Sequence, residues 1–204
     1  MGDVAVATPL RVEYMAVKRA LRGARLVRTG MGPRKSRASR PRIAGDGPLV
    51  VMGVAGGLSP EVNPGDIVVA SEVREGLTVV AVTKADDLVA TLMGNGFRVH
   101  VGPIVSVTRV AGEQERVALA ATGAIAVDTE SAQLVDGWPG RPIAVVRTVA
   151  DAASAPLWRP GTAMRGIQAL KVLRQAVPVV EEWATNVGSA TRPAYEAGSA
   201  TEGQ

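Results

Sequence analysis

The sequence predicts an α/β fold, and three segments predict it. Val50–Ala70 reads VVMGVAGGLSPEVNPGDIVVA, Ala126–Val135 reads AVDTESAQLV, and Ala144–Ala152 reads AVVRTVADA. Each is a β-branched apolar run that stops at a small or acidic residue. In an open α/β sheet the ligand crevice lies outside the carboxyl ends of the strands. Ala55, Gly56 and Gly57, Glu130, and Asp151 with Arg147 are therefore expected at one site. Two carboxylates and a glycine-rich turn at one crevice point to an enzyme acting on a small molecule.

The elements follow in order. Asp3–Ala7 is a short apolar strand. Pro9–Leu21 places Leu10, Tyr14, Val17 and Leu21 on one helical stripe. Ala24–Thr29 is a second strand, running into Gly30-Met31-Gly32-Pro33, where two glycines let backbone approach a ligand closely. Arg34–Gly47 is basic and polar and reads as a short helix and a loop. Leu49–Val54 is almost wholly apolar, as a parallel strand covered on both faces requires. Asp66–Val73 and Thr78–Val82 are further strands. Lys84–Gly94 is a helix closed by Gly-Asn-Gly. Arg98–Val107 is a strand, Glu113–Ala121 a helix and Ala124–Val127 a strand. Glu130–Val135 starts a helix with Thr129 near its N-cap. Pro142–Val149 is the strand that delivers Asp151. Gly161–Ala176 and Pro178–Val187 read as two helices, with Pro178 at the first position of the second. Residues 188–204 are rich in Gly, Ser, Thr and Ala and read as a disordered tail. The domain is expected over 1–187.

Composition removes whole classes of chemistry. The 204 residues suit one domain with a proper core. Hydrophobic residues make up 47% but aromatics only 3%, so Val, Ala and Leu must do the packing. There is no cysteine, hence no disulfide, thiolate nucleophile or zinc–thiolate site. The single histidine, His100, sits in an alternating strand-like run and reads as structural, which argues against a histidine metal site or triad. No run of 18 apolar residues exists, so stable membrane insertion is not expected. Met1–Leu10 lacks the pattern of a secretory signal, and the expected location is cytoplasmic. Net charge is +4, with ten Lys and Arg between Lys18 and Arg42. Without interleaved aromatics this stretch reads as a solvated face rather than a nucleic-acid site.

The three segments, with GVAGGL…PGDIVV, the acid-x-Glu-Ser/Ala helix start and the R-x-x-x-D strand end, resemble the nucleoside phosphorylase/nucleosidase superfamily. That superfamily includes purine nucleoside phosphorylases and methylthioadenosine/adenosylhomocysteine nucleosidase. The likeness spans about residues 3–185. TGMGPRKSR, HVGPIVSV and WRPGTAMRGIQALKVLRQAVP are similar to a small actinobacterial branch often associated with hopanoid genes. The resemblance implies a single-domain, three-layer α/β/α fold around a mixed, largely parallel twisted sheet. It implies a nucleoside substrate, no metal or organic cofactor, no nucleic-acid partner, and a homodimer.

It also implies roles. Asp151 matches the acid that protonates or hydrogen-bonds N7 of a departing purine; from spacing alone it also reads as a turn or N-cap aspartate. A partly desolvated carboxylate there has the raised pKa an acid needs. Glu130 matches the carboxylate that grips the ribose hydroxyls and favours a cationic sugar; alone, it also reads as a first-turn acid complementing the helix dipole. Asp128 and Thr129 precede it, and Thr129 stands where the family often has methionine. Arg147 shares a face with Asp151 if their strand stays regular, and in nucleosidases the matching arginine helps hold the attacking water. Glu13 is the matching candidate for the glutamate that holds that water too. Ala55, Gly56 and Gly57, with Val110 and Trp158, complete the substrate-binding candidates. Val54 occupies the place where phosphorolytic relatives carry a phosphate-binding hydroxyl, which favours water as nucleophile. Gly30, Gly32 and Arg34 form a fair anion or water site and keep phosphorolysis open. Ser154 replaces a second acid. The short Arg74–Leu77 turn implies an open pocket suited to a bulky 5′-group.

The leading expectation is hydrolysis of the N-glycosidic bond of a 5′-substituted purine nucleoside, most simply an adenine one. Adenosylhopane, methylthioadenosine, adenosylhomocysteine and a futalosine-like compound are candidate substrates. A phosphate-dependent phosphorylase and a catalytically degenerate nucleoside-binding protein are the alternatives.

Overall fold

A computed structural model describes residues 4–151 and 162–190. In it the chain runs β1 (Ala5–Thr8), α1 (Arg11–Lys18), β2 (Arg25–Arg28), α2 (Pro33–Ile43), β3 (Leu49–Gly57), β4 (Ile67–Glu75) and β5 (Thr78–Ala81). It continues as α3 (Asp86–Gly94), β6 (Val99–Ser106), α4 (Glu113–Ala121), β7 (Ala126–Asp128), α5 (Ser131–Val135), β8 (Ile143–Asp151) and α6 (Thr162–Ala190).

The sheet is mixed and largely parallel, and part of it closes on itself. β3 pairs with β8 in parallel, β8 with β4 antiparallel, and β4 with β6 in parallel. β6 then pairs with β7 in parallel, and β7 returns to β3 antiparallel at Gly56 and Gly57. β1 and β2 extend the sheet beyond β3, and β5 extends it beyond β4. β3 meets β7 only at Gly56 and Gly57, and apart from Val54 its second half is Gly53, Ala55, Gly56 and Gly57, which carry little or no side chain.

Alternation along the strands feeds two cores. Val50 and Met52 of β3, with Ala144 and Val146 of β8, face α1, α3 and α6. Their neighbours Val51, Ala55, Val145 and Val149 face the other way, toward α2 and α5. Helices thus cover both faces of the sheet, the expected three-layer arrangement.

The C-terminal helices differ from expectation. One helix runs through Thr162–Ala190 with Pro178 inside it, where a break between two helices was predicted. An internal proline costs roughly 3 kcal/mol. Val172, Leu173 and Val177 before it, and Val180 and Trp183 after it, are all buried against the same core. At about 1.5–3 kcal/mol per buried side chain, either half alone outweighs the proline. The helix also continues through Gly188-Ser189-Ala190, so the predicted tail begins too early; residues 191–204 lie outside the described part. Glu181 of this helix accepts the backbone N–H groups of Arg22, Gly23 and Ala24 at 2.9, 2.6 and 2.7 Å, tying α6 to the turn before β2.

His100 of β6 contacts Asp66, the residue before β4, at 2.9 Å. The basic stretch is partly woven into the fold. Arg25 donates to the carbonyls of Arg42 and Ala44, and Arg40 and Arg141 both lie about 5 Å from the Trp138 ring centroid. Among the described residues no helix is long and apolar enough to cross a membrane.

Candidate active site

A cleft of about 640 Å³, including its open mouth, lies over the carboxyl ends of β3, β7 and β8. Glu13, Ala55, Gly56, Val110, Asp128, Thr129, Glu130 and Asp151 all line it. The ends of β3, β7 and β8 deliver Ala55, Gly56, Asp128 and Asp151, Thr129 and Glu130 follow β7 directly, and Glu13 comes from α1.

Glu13 is set by the start of α1. Its Oε2 accepts the N–H of Leu10 at 2.7 Å, three residues back, closing the helix start on itself. Its Oε1 accepts the N–H of Val54 at 2.7 Å. The residue is almost fully buried, and burial raises its pKa although Arg147 and the two amides oppose the rise. Gly53 makes room for it. A Cβ on Gly53 would lie 2.3 Å from Arg147 Nη1 and 2.7 Å from Glu13 Oε1, so both groups converge on the spot glycine leaves empty.

Asp151 lies at the far end of β8. Register slips there: Val149 pairs with Ala55, but Asp151, not Ala150, pairs with Gly56. This bulge corrects the expectation that residues 147, 149 and 151 share one face, because an extra residue reverses the alternation beyond it. Asp151 is 2% exposed and pairs with Arg116, whose Nη1 lies 2.8 Å from Oδ2. Burial pushes its pKa up, and the Arg116 and Arg165 charges pull against that rise.

Arg116 was not legible as a site residue. In α4 it is the single buried side chain, while the adjacent Val117 is 69% exposed, the inverse of what the two residue types suggest. Its Nη2 donates to the Gly57 carbonyl at 2.6 Å. Gly56 leaves the necessary space, since a Cβ there would lie 2.8 Å from Arg116 Nη1 and 2.9 Å from Asp151 Oδ1.

Glu130 faces the cleft from the residue before α5. Its Oε1 accepts the Gly32 N–H at 2.9 Å and the hydroxyl of Thr129. Thr129 is therefore a partner of Glu130, and the N-cap position itself falls on Glu130.

Asp128 is more a foundation than a substrate group. Its carboxylate accepts from Ser106 Oγ at 2.6 Å, from the Ser131 hydroxyl and amide, from the Glu130 amide and from Arg147. Those donors hold its pKa down against burial. Arg147 is wholly buried and does not line the cleft. Its Nη2 reaches Asp128 at 2.8 Å and Ser131 Oγ at 2.8 Å, which leaves only Nη1 beside Glu13.

The anion site expected of Gly30, Gly32 and Arg34 is not assembled at the cleft. The Gly32 amide is spent on Glu130, Arg34 is exposed, and of that loop Met31 lines the cleft. Gly30 and Gly32 do adopt the left-handed backbone, at φ 88 and 87°. Gly57 lies outside the lining and serves through its carbonyl. The turn between β4 and β5 is a tight hairpin at Gly76-Leu77, and none of its residues lines the cleft. Trp158 and Ser154 lie outside the described residues. Among the described residues no group of three or more His, Cys, Asp or Glu is placed to hold a metal ion.

A family model described as the Phosphorylase superfamily matches residues 22–163. The chain belongs to that superfamily. Glu13 lies upstream of the matched stretch, and the other catalytic candidates fall within it. No curated protein matches the chain. Solved structures of this superfamily member's fold include the Helicobacter pylori 5′-methylthioadenosine/S-adenosylhomocysteine nucleosidase, at 14% identity and TM-score 0.71, covering 91% of this chain and 99% of that one. The corresponding nucleosidase of Colwellia psychrerythraea, in complex with adenine, is 19% identical with TM-score 0.68 over 90% of this chain and 95% of that one. Futalosine hydrolase of Helicobacter pylori is 14% identical with TM-score 0.68 over 91% and 97%.

Proposed function

We propose that this member of the superfamily is a purine nucleoside N-ribohydrolase that releases the free base, most simply adenine, from a 5′-substituted nucleoside. The observation that carries the reading is Glu13: a buried carboxylate takes the Val54 amide, at the position where a phosphorylase needs a donor for phosphate. A carboxylate repels phosphate and accepts a proton from water. Likeness to the solved nucleosidases and futalosine hydrolase supports the same reading.

The chemistry follows from three carboxylates. Asp151, raised by burial, gives its proton to N7 of the base. The C1′–N9 bond breaks and its electron pair leaves with the base, which departs neutral. Glu130 accepts the ribose hydroxyls, and its charge favours the cationic sugar. Water adds to C1′ and yields its proton to Glu13, and exchange with solvent returns both acids to their starting states. Arg147, with Nη1 beside Glu13, acts on that water through the Glu13 carboxylate rather than by contact. Asp128 orients the residues that flank it, and Thr129 fixes Glu130. Ala55, Gly56 and Val110 would meet the base and sugar, with Trp158 a further candidate.

The phosphorylase alternative is weaker because the glycine amide it needs is occupied by Glu130. The reading includes a homodimer acting in the cytoplasm. Met31 and Val110 line the cleft yet are 58 and 57% exposed, which suits a mouth that a second subunit narrows; sedimentation velocity tests this. For the chemistry, purified Asp151→Asn and Glu13→Gln should each lose at least about 100-fold in kcat. Wild-type base release by Asp151→Asn would overturn the assignment.

A further inference from the structure

We infer that Arg116 is a positioning residue for the acid: it aims the Asp151 carboxyl into the cleft and stabilises the carboxylate that remains once the proton has gone to the base. The inference rests on the hydrolase reading and extends it to a residue on a different element. Arg116 is the one side chain α4 buries, and it reaches Asp151 Oδ2 at 2.8 Å while its other terminal nitrogen holds the Gly57 carbonyl at 2.6 Å. A guanidinium forked between a strand carbonyl and a carboxylate fixes that carboxylate in direction as well as distance. Gly56, paired with Asp151 across the bulge, leaves the space the pair occupies.

The energetic logic concerns the conjugate base. Burial alone would make Asp151 a weak acid, reluctant to release a proton into a dry cleft. A cation at 2.8 Å favours the ionised product, so the proton passes to N7 more readily as the C1′–N9 electron pair moves onto the base. Among the described residues, the other charges near Asp151 are Arg165 of α6 and, within the same cleft, Glu13 of α1, Asp128 of β7 and Glu130 before α5. Arg116 makes a 2.8 Å ion pair with Asp151, and Arg165 adds a further favourable charge.

The test compares wild type with Arg116→Met and Arg116→Lys. Carboxyl carbon-13 NMR follows the titration of Asp151, assigned by its loss in Asp151→Asn, and needs no substrate. Base release across pH follows catalysis. Arg116→Met should move the Asp151 titration and the alkaline limb of kcat upward together by about one pH unit, and lower kcat about 10- to 100-fold with KM changed only a few-fold. Arg116→Lys keeps the charge but not the fork, so the titration should stay near wild type while kcat falls several-fold. If Arg116→Met fails to fold by circular dichroism, the lysine variant carries the test. Wild-type titration in Arg116→Met, or wild-type kcat in Arg116→Lys, overturns the inference. A wild-type protein that releases no base overturns the hydrolase reading instead, and the NMR titration still decides whether Arg116 governs Asp151.

Discussion

Arg147 and Asp128 form a solvent-free ion pair in which Nε, at 3.0 Å, and Nη2, at 2.8 Å, reach the same carboxylate oxygen. The pair spans β8 and β7, and around it gather Ser106, Ser131 and the amides that open α5. It is the footing on which Glu130 stands.

Breaking that footing should be expensive. Asp128→Asn leaves the Arg147 charge buried without its counter-ion, and the loss of one partner of a buried pair costs about 3–5 kcal/mol. Denaturant unfolding should show a fall of that size. A change below about 1 kcal/mol would mean the pair behaves as a surface one.

Gly53 should be a catalytic sensor although it carries no chemistry. In Gly53→Ala the methyl meets Arg147 Nη1 and Glu13 Oε1 within 2.7 Å, so the carboxylate must move. A displacement of that order lowers kcat about 100-fold. Circular dichroism should remain native, and a variant with unchanged kcat would argue that Glu13 does not position the water.

How much of this was legible follows from what each residue does locally. The strands were readable because runs such as Leu49–Val54 need burial on both faces, and Asp151 and Glu130 were readable because they end such runs. Arg116 was not, since in Glu113–Ala121 it looks like any solvated helix residue; its burial comes from its guanidinium reaching the Gly57 carbonyl and Asp151, a tertiary event. The bulge at Ala150 leaves no mark in AVVRTVADA, and it separates the faces of Arg147 and Asp151. Pro178 marks a helix start by local chemistry, and packing on both sides of it carries the helix through. Ring closure of β3, β8, β4, β6 and β7 likewise depends on pairings remote in sequence.

Glu181 should make stability depend on acidity. Three backbone amides hold its pKa below the ordinary value, against the opposing effect of burial. Its contribution is therefore full above the unfolded-state value of about 4.3 and disappears as pH falls through the lower folded-state value. Glu181→Gln should cost about 1–3 kcal/mol at pH 7, and the difference from wild type should shrink below about pH 4. Thermal unfolding at pH 7 and pH 3.5 reads this out, and an equal gap at both values would contradict it.

The pH profile of hydrolysis should have two limbs. Glu13 works ionised, so activity falls on the acid side as it takes a proton. Asp151 works protonated, so activity falls on the alkaline side as it loses one. Burial raises both groups, which moves both limbs above the ordinary carboxylate range of about 4. In Glu13→Gln the acid limb should vanish from the residual activity, and its persistence would assign that limb to another group.

In the proposed reaction water, not phosphate, takes the sugar. Base release is to be followed by chromatography in phosphate-free buffer with adenosine, methylthioadenosine, adenosylhomocysteine, inosine, futalosine and an adenosylhopane analogue. A hydrolase releases base from at least one 5′-substituted nucleoside at a rate unchanged by added phosphate. Release that begins only when phosphate is added would contradict it, and would return Gly30, Gly32 and Arg34 to the centre of the site.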